Sequence, residues 1–186
     1  MENSLDSSDL MGNYAFRGKA PKIASTCFVA PSADIIGDVE IGEGSSVWFN
    51  ATIRGDINAI KIGKNVSIQD NCVLHTEKEC AVEIGDDVVI GHQAIIHSAK
   101  IGSGTMIGMG AIILSGASIG KNCVVGAGSV VTEGTFIKDS SVVMGVPGKA
   151  VKQTTPVHQE RVMTNVKEYS KLNEAYLKEK GFKRTE

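Results

Sequence analysis

The sequence predicts an all-β solenoid, a parallel β-helix of six-residue repeats, with one amphipathic α-helix packed along it near the C-terminus. Three observations carry that expectation. Aliphatic residues return every six positions, with a few shifts, between residues 29 and 143, and a small residue follows most of them four positions later. The pattern stops near residue 148, where apolar spacing becomes helical.

The elements follow in chain order. Residues 1–12 (MENSLDSSDLMG) carry no periodic pattern and are read as a tail. They lack the charged-then-apolar order of a signal peptide. Residues 13–148 form the repeat domain. The first position of each repeat is Val29, Ile35, Ile41, Val47 and Ile53, then, after a three-residue shift, Ile62, Ile68 and Leu74. A four-residue insertion near 76–83 precedes Ile84, Ile90 and Ile96. One residue is then dropped, and the series runs from Ile101 through Ile107, Ile113, Ile119, Val125, Val131 and Ile137 to Val143. The fifth position is small throughout, as at Ala33, Ser45, Ala51, Cys72, Ala94, Thr105, Ala117 and Ser129. An inward aliphatic residue followed by a small corner residue describes one short strand and one turn. A helix would need apolar spacing near 3.6, and plain two-residue alternation does not produce a period of six.

This pattern resembles the hexapeptide-repeat proteins. The resemblance implies a left-handed coil, three repeats to a triangular turn of about eighteen residues. Spacing alone would have favoured the opposite hand, because crossovers between parallel strands are usually right-handed. Stacked coils share one continuous apolar core.

Residues 149–186 are a linker and a helix. VPGKAVKQTTP reads as the linker, Thr155 as a helix cap and Pro156 as the first helical residue. Val162, Val166, Tyr169 and Tyr176 recur at helical spacing, and Gly181 is a fitting end for a helix of about 25 residues that covers an apolar face.

Composition narrows the function. A net charge of −2 with no basic stripe argues against nucleic acid. No apolar run approaches the roughly 18 residues of a membrane span. Of four cysteines, Cys72 and Cys123 take the small corner position, Cys27 precedes the first coil and Cys80 lies in the insertion. Without a CxxC pair, free thiols in a reducing cytoplasm are expected.

Three of the four histidines cluster in the repeat: His75, His92 and His97. Leu74 and Ile96 are 22 residues apart, one eighteen-residue coil plus the four-residue insertion. His75 and His97 follow them, so both point outward, one above the other at the ~4.8 Å strand spacing. Two imidazoles so placed suit one metal with bonds of about 2.0–2.1 Å. His92 sits on a different face and turns toward a neighbouring copy. A heterologous contact repeated about a threefold closes into a ring, giving a homotrimer with metal sites at its interfaces. His158, in the first turn of the helix, reads as a solvated or packing residue.

VWFNATIRGDINAIKIGKNVSIQDNCVLHT and IGHQAIIHS resemble the γ-class carbonic anhydrases and their close relatives, from about Ala15 through the helix. The resemblance implies three histidine ligands for Zn2+ (Fe2+ or Co2+ in some members), two from one subunit and one from the next, matching His75, His97 and His92. It implies that Arg54 and Asp56 order the subunit interface, with Asp70 supporting it. Gln69 would hydrogen-bond solvent on the metal, and Asn165 would lie on the helix near it. Trp48 and Phe49 would pack between subunits. The chain departs from the best-characterised type at three places: Ile57 replaces a glutamate, Ser67 an asparagine, and the loop TEKECAVE is shorter, leaving Glu77 and Glu79 as imperfect proton acceptors. The implied activity is cytoplasmic, zinc-dependent hydration of carbon dioxide to bicarbonate. The alternatives are a hexapeptide-repeat acyltransferase or CoA-thioesterase, or a metal-binding scaffold of weak activity.

Overall fold

In a computed structural model, which describes residues 12–179, the chain winds into stacked coils of short parallel strands. Seven strands, from Phe28–Val29 to Ser141–Met144, stack on one face of the solenoid. The other two faces share one continuous sheet, because Asp34–Ile41 and Thr52–Ile62 are long enough to bend around a corner. A single face-to-face strand order therefore becomes three faces of a prism.

The repeat positions have the physical roles their chemistry demands. From Ile35 to Val143 every first-position aliphatic is at most 5% exposed. Val29, in the first coil, is half-buried, with fewer neighbours below it. Small polar residues at the fifth position turn back on the core wall. Ser45 donates to the Gly63 carbonyl at 2.9 Å, Thr105 to that of Gly120 at 2.9 Å, and the Cys72 thiol to that of Gly91 at 3.1 Å. Corner cysteines thus act as small buried donors. Burial pushes the Cys72 thiol up to about 12, which leaves it inert. All four cysteines are free thiols.

The residue before each inward aliphatic points outward, and it differs by face. One face carries Thr52, Val73, Ile95, Ile112 and Val130 in register, an aliphatic column. The second carries Lys22, Glu40, Lys61, Glu83 and Lys100, alternating in sign down the strands. The third carries Phe28, Ser46, Ser67, Val89, Met106 and Val124. Charge suits water, and the third column is covered by the helix.

That helix, α1, spans Pro156–Lys178. The Thr155 backbone N–H donates to His158 Nδ1 at 3.0 Å, so His158 closes the first turn. Its end falls at Glu179, and Gly181 lies outside the described residues, as does most of the tail 1–12. Val162 and Val166 bury against Val89. Farther along, Asn173 is 3% exposed; its carbonyl accepts from Phe28 N–H at 2.7 Å and its amide donates to the Thr26 carbonyl at 3.0 Å.

Two expectations need correction. Trp48 packs within the chain, 5.3 Å from Tyr169 and 5.2 Å from Tyr176 between ring centroids, with its Nε1–H on Ser46 Oγ. The helix tyrosines claim it before any neighbouring copy can. The linker is also more ordered than its composition implied. Lys149–Gln153 forms an antiparallel strand on Ser141–Met144 and pairs the last open edge of that face.

Candidate metal centre

The site begins with the strand Thr52–Ile62. Arg54 and Asp56 flank Gly55 and point to one side of the strand, as alternation requires. Gly55 has no alternative here: a Cβ would stand 2.6 Å from the Asp38 carbonyl oxygen. The coil above crosses at Gly37, whose φ of +79° and close approach to Gly55 likewise admit only glycine. This bare crossing brings Arg54 into register with His75, and His75 into register with His97.

Five side chains converge there. Asp56 accepts from Arg54 at 2.5 Å and meets His75 Nε2 at 3.1 Å. His75 Nδ1 faces His97 Nε2 at 3.3 Å. His97 Nδ1 meets Ser115 Oγ, from the next coil, at 2.9 Å. Burial works against the Asp56 charge, but the hydrogen bonds from Arg54 and His75 outweigh it and hold the carboxyl below its usual value. Burial also pushes the His75 imidazole below its ordinary range, against the pull of Asp56, and so favours the neutral ring.

These residues fit a zinc ion. A tetrahedron with bonds of 2.0–2.1 Å has edges of about 3.3–3.4 Å. The separation of His75 Nδ1 from His97 Nε2 matches that edge, and both are imidazole nitrogens of the kind zinc takes.

His92 lies elsewhere on the same chain, at the turn that precedes the strand Ile95–His97. Its Nδ1 meets Asp70 at 2.8 Å, and Tyr169 of α1 reaches its Nε2 at 3.5 Å. Gln69 is buried, and its side-chain carbonyl accepts the His92 backbone N–H at 3.2 Å. Among the described residues, no three His, Cys, Asp or Glu side chains of one chain are arranged to hold a metal. The structure thus forms two separate clusters, the His75–His97 pair with Arg54 and Asp56, and His92 with Asp70 and Gln69. Asn165 joins neither by a hydrogen bond; its carbonyl oxygen is buried without a partner. Ser115 was missed in the sequence. It sits eighteen residues beyond His97, one coil on, and that offset was the available signal.

Known proteins resemble this chain at several levels. The bacterial transferase hexapeptide family (six repeats) matches residues 98–133. A carbonic anhydrase of Geobacillus kaustophilus is 42% identical over 90% of this chain and 88% of its own length. The mitochondrial gamma carbonic anhydrase 1 of Arabidopsis thaliana is 38% identical over 87% of this chain and 61% of its own. The crystal structure of a Bacillus cereus protein, proposed there to be an acetyltransferase, superposes with a TM-score of 0.88 at 40% identity. It covers 89% of this chain and 96% of that one.

Proposed function

The chain belongs to the γ-class carbonic anhydrase family of hexapeptide-repeat proteins, and from that premise we propose that it hydrates carbon dioxide to bicarbonate as a zinc-loaded homotrimer. The observation that carries the reading is the 3.3 Å gap between His75 Nδ1 and His97 Nε2, the edge length of a zinc tetrahedron, on a chain whose described residues supply no third donor to it.

The aliphatic column supports the trimer. Val73 and Ile95 are 38% and 37% exposed and lie on the face that carries the histidine pair. Ile57, 55% exposed, adds apolar surface beside Asp56, and Met109, 60% exposed, stands one coil on from His92 at the other corner. Packing that face against the His92 corner of a second copy buries the column and completes the donor set, and a threefold ring satisfies all three copies alike.

When bound, zinc held by three neutral imidazoles supplies a Lewis acid that acidifies its water. The chain's own residues do the rest. Asp56 fixes the ring plane of His75, and Arg54 holds Asp56 charged. Asp70 and the Gln69 carbonyl fix the loop of His92; any polar contact from Gln69 to substrate then falls to its amide nitrogen. Hydration joins a water oxygen to the carbon of carbon dioxide and releases one proton. Glu77 and Glu79, in the loop beyond His75, are imperfect acceptors for it, so external buffer carries most of it away.

The test is metal analysis of the purified protein followed by stopped-flow hydration of carbon dioxide. Zinc near one ion per chain, with hydration abolished in His97→Ala, supports the reading. The Bacillus cereus likeness favours one competitor, acetyl transfer, for which a CoA ester is the donor to try. CoA-ester turnover with no hydration by the metal-loaded protein would replace the reading with that one.

A further inference from the structure

Two imidazoles can share a cation only if the nitrogens facing each other are both bare of hydrogen. At His75 that condition is met by Asp56. A charged carboxylate only accepts hydrogen bonds, so it takes the Nε2 hydrogen at 3.1 Å and leaves Nδ1 bare toward His97.

At His97 the corresponding place, beside Nδ1, is filled by a hydroxyl. Ser115 Oγ lies 2.9 Å from that nitrogen, and Ser115 is half-buried at the turn after Ile112–Ile113. A hydroxyl can donate or accept. If it donates to Nδ1, the His97 hydrogen sits on Nε2, in the 3.3 Å gap, and closes it to a cation. If it accepts from Nδ1–H, Nε2 is bare and the gap is open. The serine comes from the coil beyond His97, as Asp56 comes from the coil before His75. The pair is therefore gripped from both ends of the stack.

We propose that Ser115 is a positioning residue for the metal centre: its hydroxyl accepts the His97 Nδ1 hydrogen and so fixes the tautomer in which Nε2 faces the shared ion. The inference rests on the zinc reading above. It adds a partner that acts through His97 and touches neither metal nor substrate. Outer partners of this kind are worth roughly 10–100-fold in metal affinity.

The experiment compares wild type, Ser115→Ala and Ser115→Thr. Zinc affinity is measured by competition with a chelating dye, the His97 ring nitrogens by 15N NMR of the zinc-loaded proteins, and folding by thermal melts of the metal-free proteins. The expected result is a 10–100-fold weaker affinity for Ser115→Ala, recovery in Ser115→Thr, and melts unchanged in both. The His97 Nδ1 hydrogen should be protected from exchange in wild type and Ser115→Thr and exchange rapidly in Ser115→Ala. Tight zinc binding by wild type with equal affinity in Ser115→Ala overturns the role of Ser115 and leaves the zinc reading standing. Equal losses in Ser115→Ala and Ser115→Thr also overturn it, since the hydroxyl is retained in threonine. Wild type that binds zinc no better than His75→Ala overturns both.

Discussion

At the scale of the residue, His75 shows how burial serves chemistry. Its imidazole titrates below the ordinary 6.5, chiefly because burial disfavours the charged ring. The unfolded chain takes up this proton before the native state does, so stability falls as pH drops below about 6.5. Asp56 acts in a separate window. Its lowered pKa contributes stability above its ordinary 3.8 that is lost only as pH falls further. Melts of the metal-free protein between pH 7 and 5 should therefore decline, and His75→Gln should flatten that decline. A parallel decline in the variant would assign the acid sensitivity to other groups. Ile57 carries a second prediction. It is 55% exposed and stands where the family resemblance implies a carboxylate. External imidazole buffer should raise turnover more than the second-order constant, and Ile57→Glu should raise turnover at low buffer. Insensitivity to both would give the proton's exit to Glu77 or Glu79. The histidines were legible in the sequence because the repeat register fixes which side chains stack. The Asp56–His75 and His97–Ser115 contacts were not, because ring rotation and side-chain reach are set by neighbours one coil away.

At the scale of the element, α1 is held by a few specific contacts as well as by apolar area. Buried Asn173 satisfies both the Phe28 N–H and the Thr26 carbonyl. Asn173→Ala strands them and should destabilise the chain by about 1–3 kcal/mol. Denaturant unfolding followed at Trp48, whose ring lies between Tyr169 and Tyr176, would report it. No change in midpoint would mean that water replaces both bonds. The start of the helix was readable from Thr155 and Pro156, and its buried face from Val162, Val166, Tyr169 and Tyr176. The strand Lys149–Gln153 was hidden in a linker-like composition, since pairing with Ser141–Met144 supplies what intrinsic preference does not. Trp48 was misplaced for a related reason: an outward aromatic on a solenoid looks like interface until a helix from the same chain is laid over it.

At the scale of the molecule, the three outward columns differ in kind: charge for solvent, small and apolar residues under the helix, and aliphatics left partly exposed for the proposed trimer. The solenoid itself was legible because eighteen residues from Ile35 to Val143 repeat one inward position. The column Val73–Ile95–Ile112–Val130 could have been read from the same register one residue earlier in each repeat. Val73→Lys with Ile95→Lys places two like charges on that column, and sedimentation should show a shift from trimer to monomer with loss of zinc. A double variant that stays trimeric with full metal would move the interface off this face.

The central claim is that the metal centre is shared between copies, and complementation tests it most directly. His92→Ala chains keep the His75–His97 pair, and His75→Ala chains keep His92. Each homotrimer should bind no zinc at these sites. In a mixed trimer about one of the three interfaces joins an intact pair to an intact His92, whichever chain is in the majority. Co-refolded chains, with mixed trimers isolated by dual tags, should therefore hold close to one zinc per trimer and recover a matching share of carbon dioxide hydration. Mixed trimers that form yet hold no zinc would contradict the account.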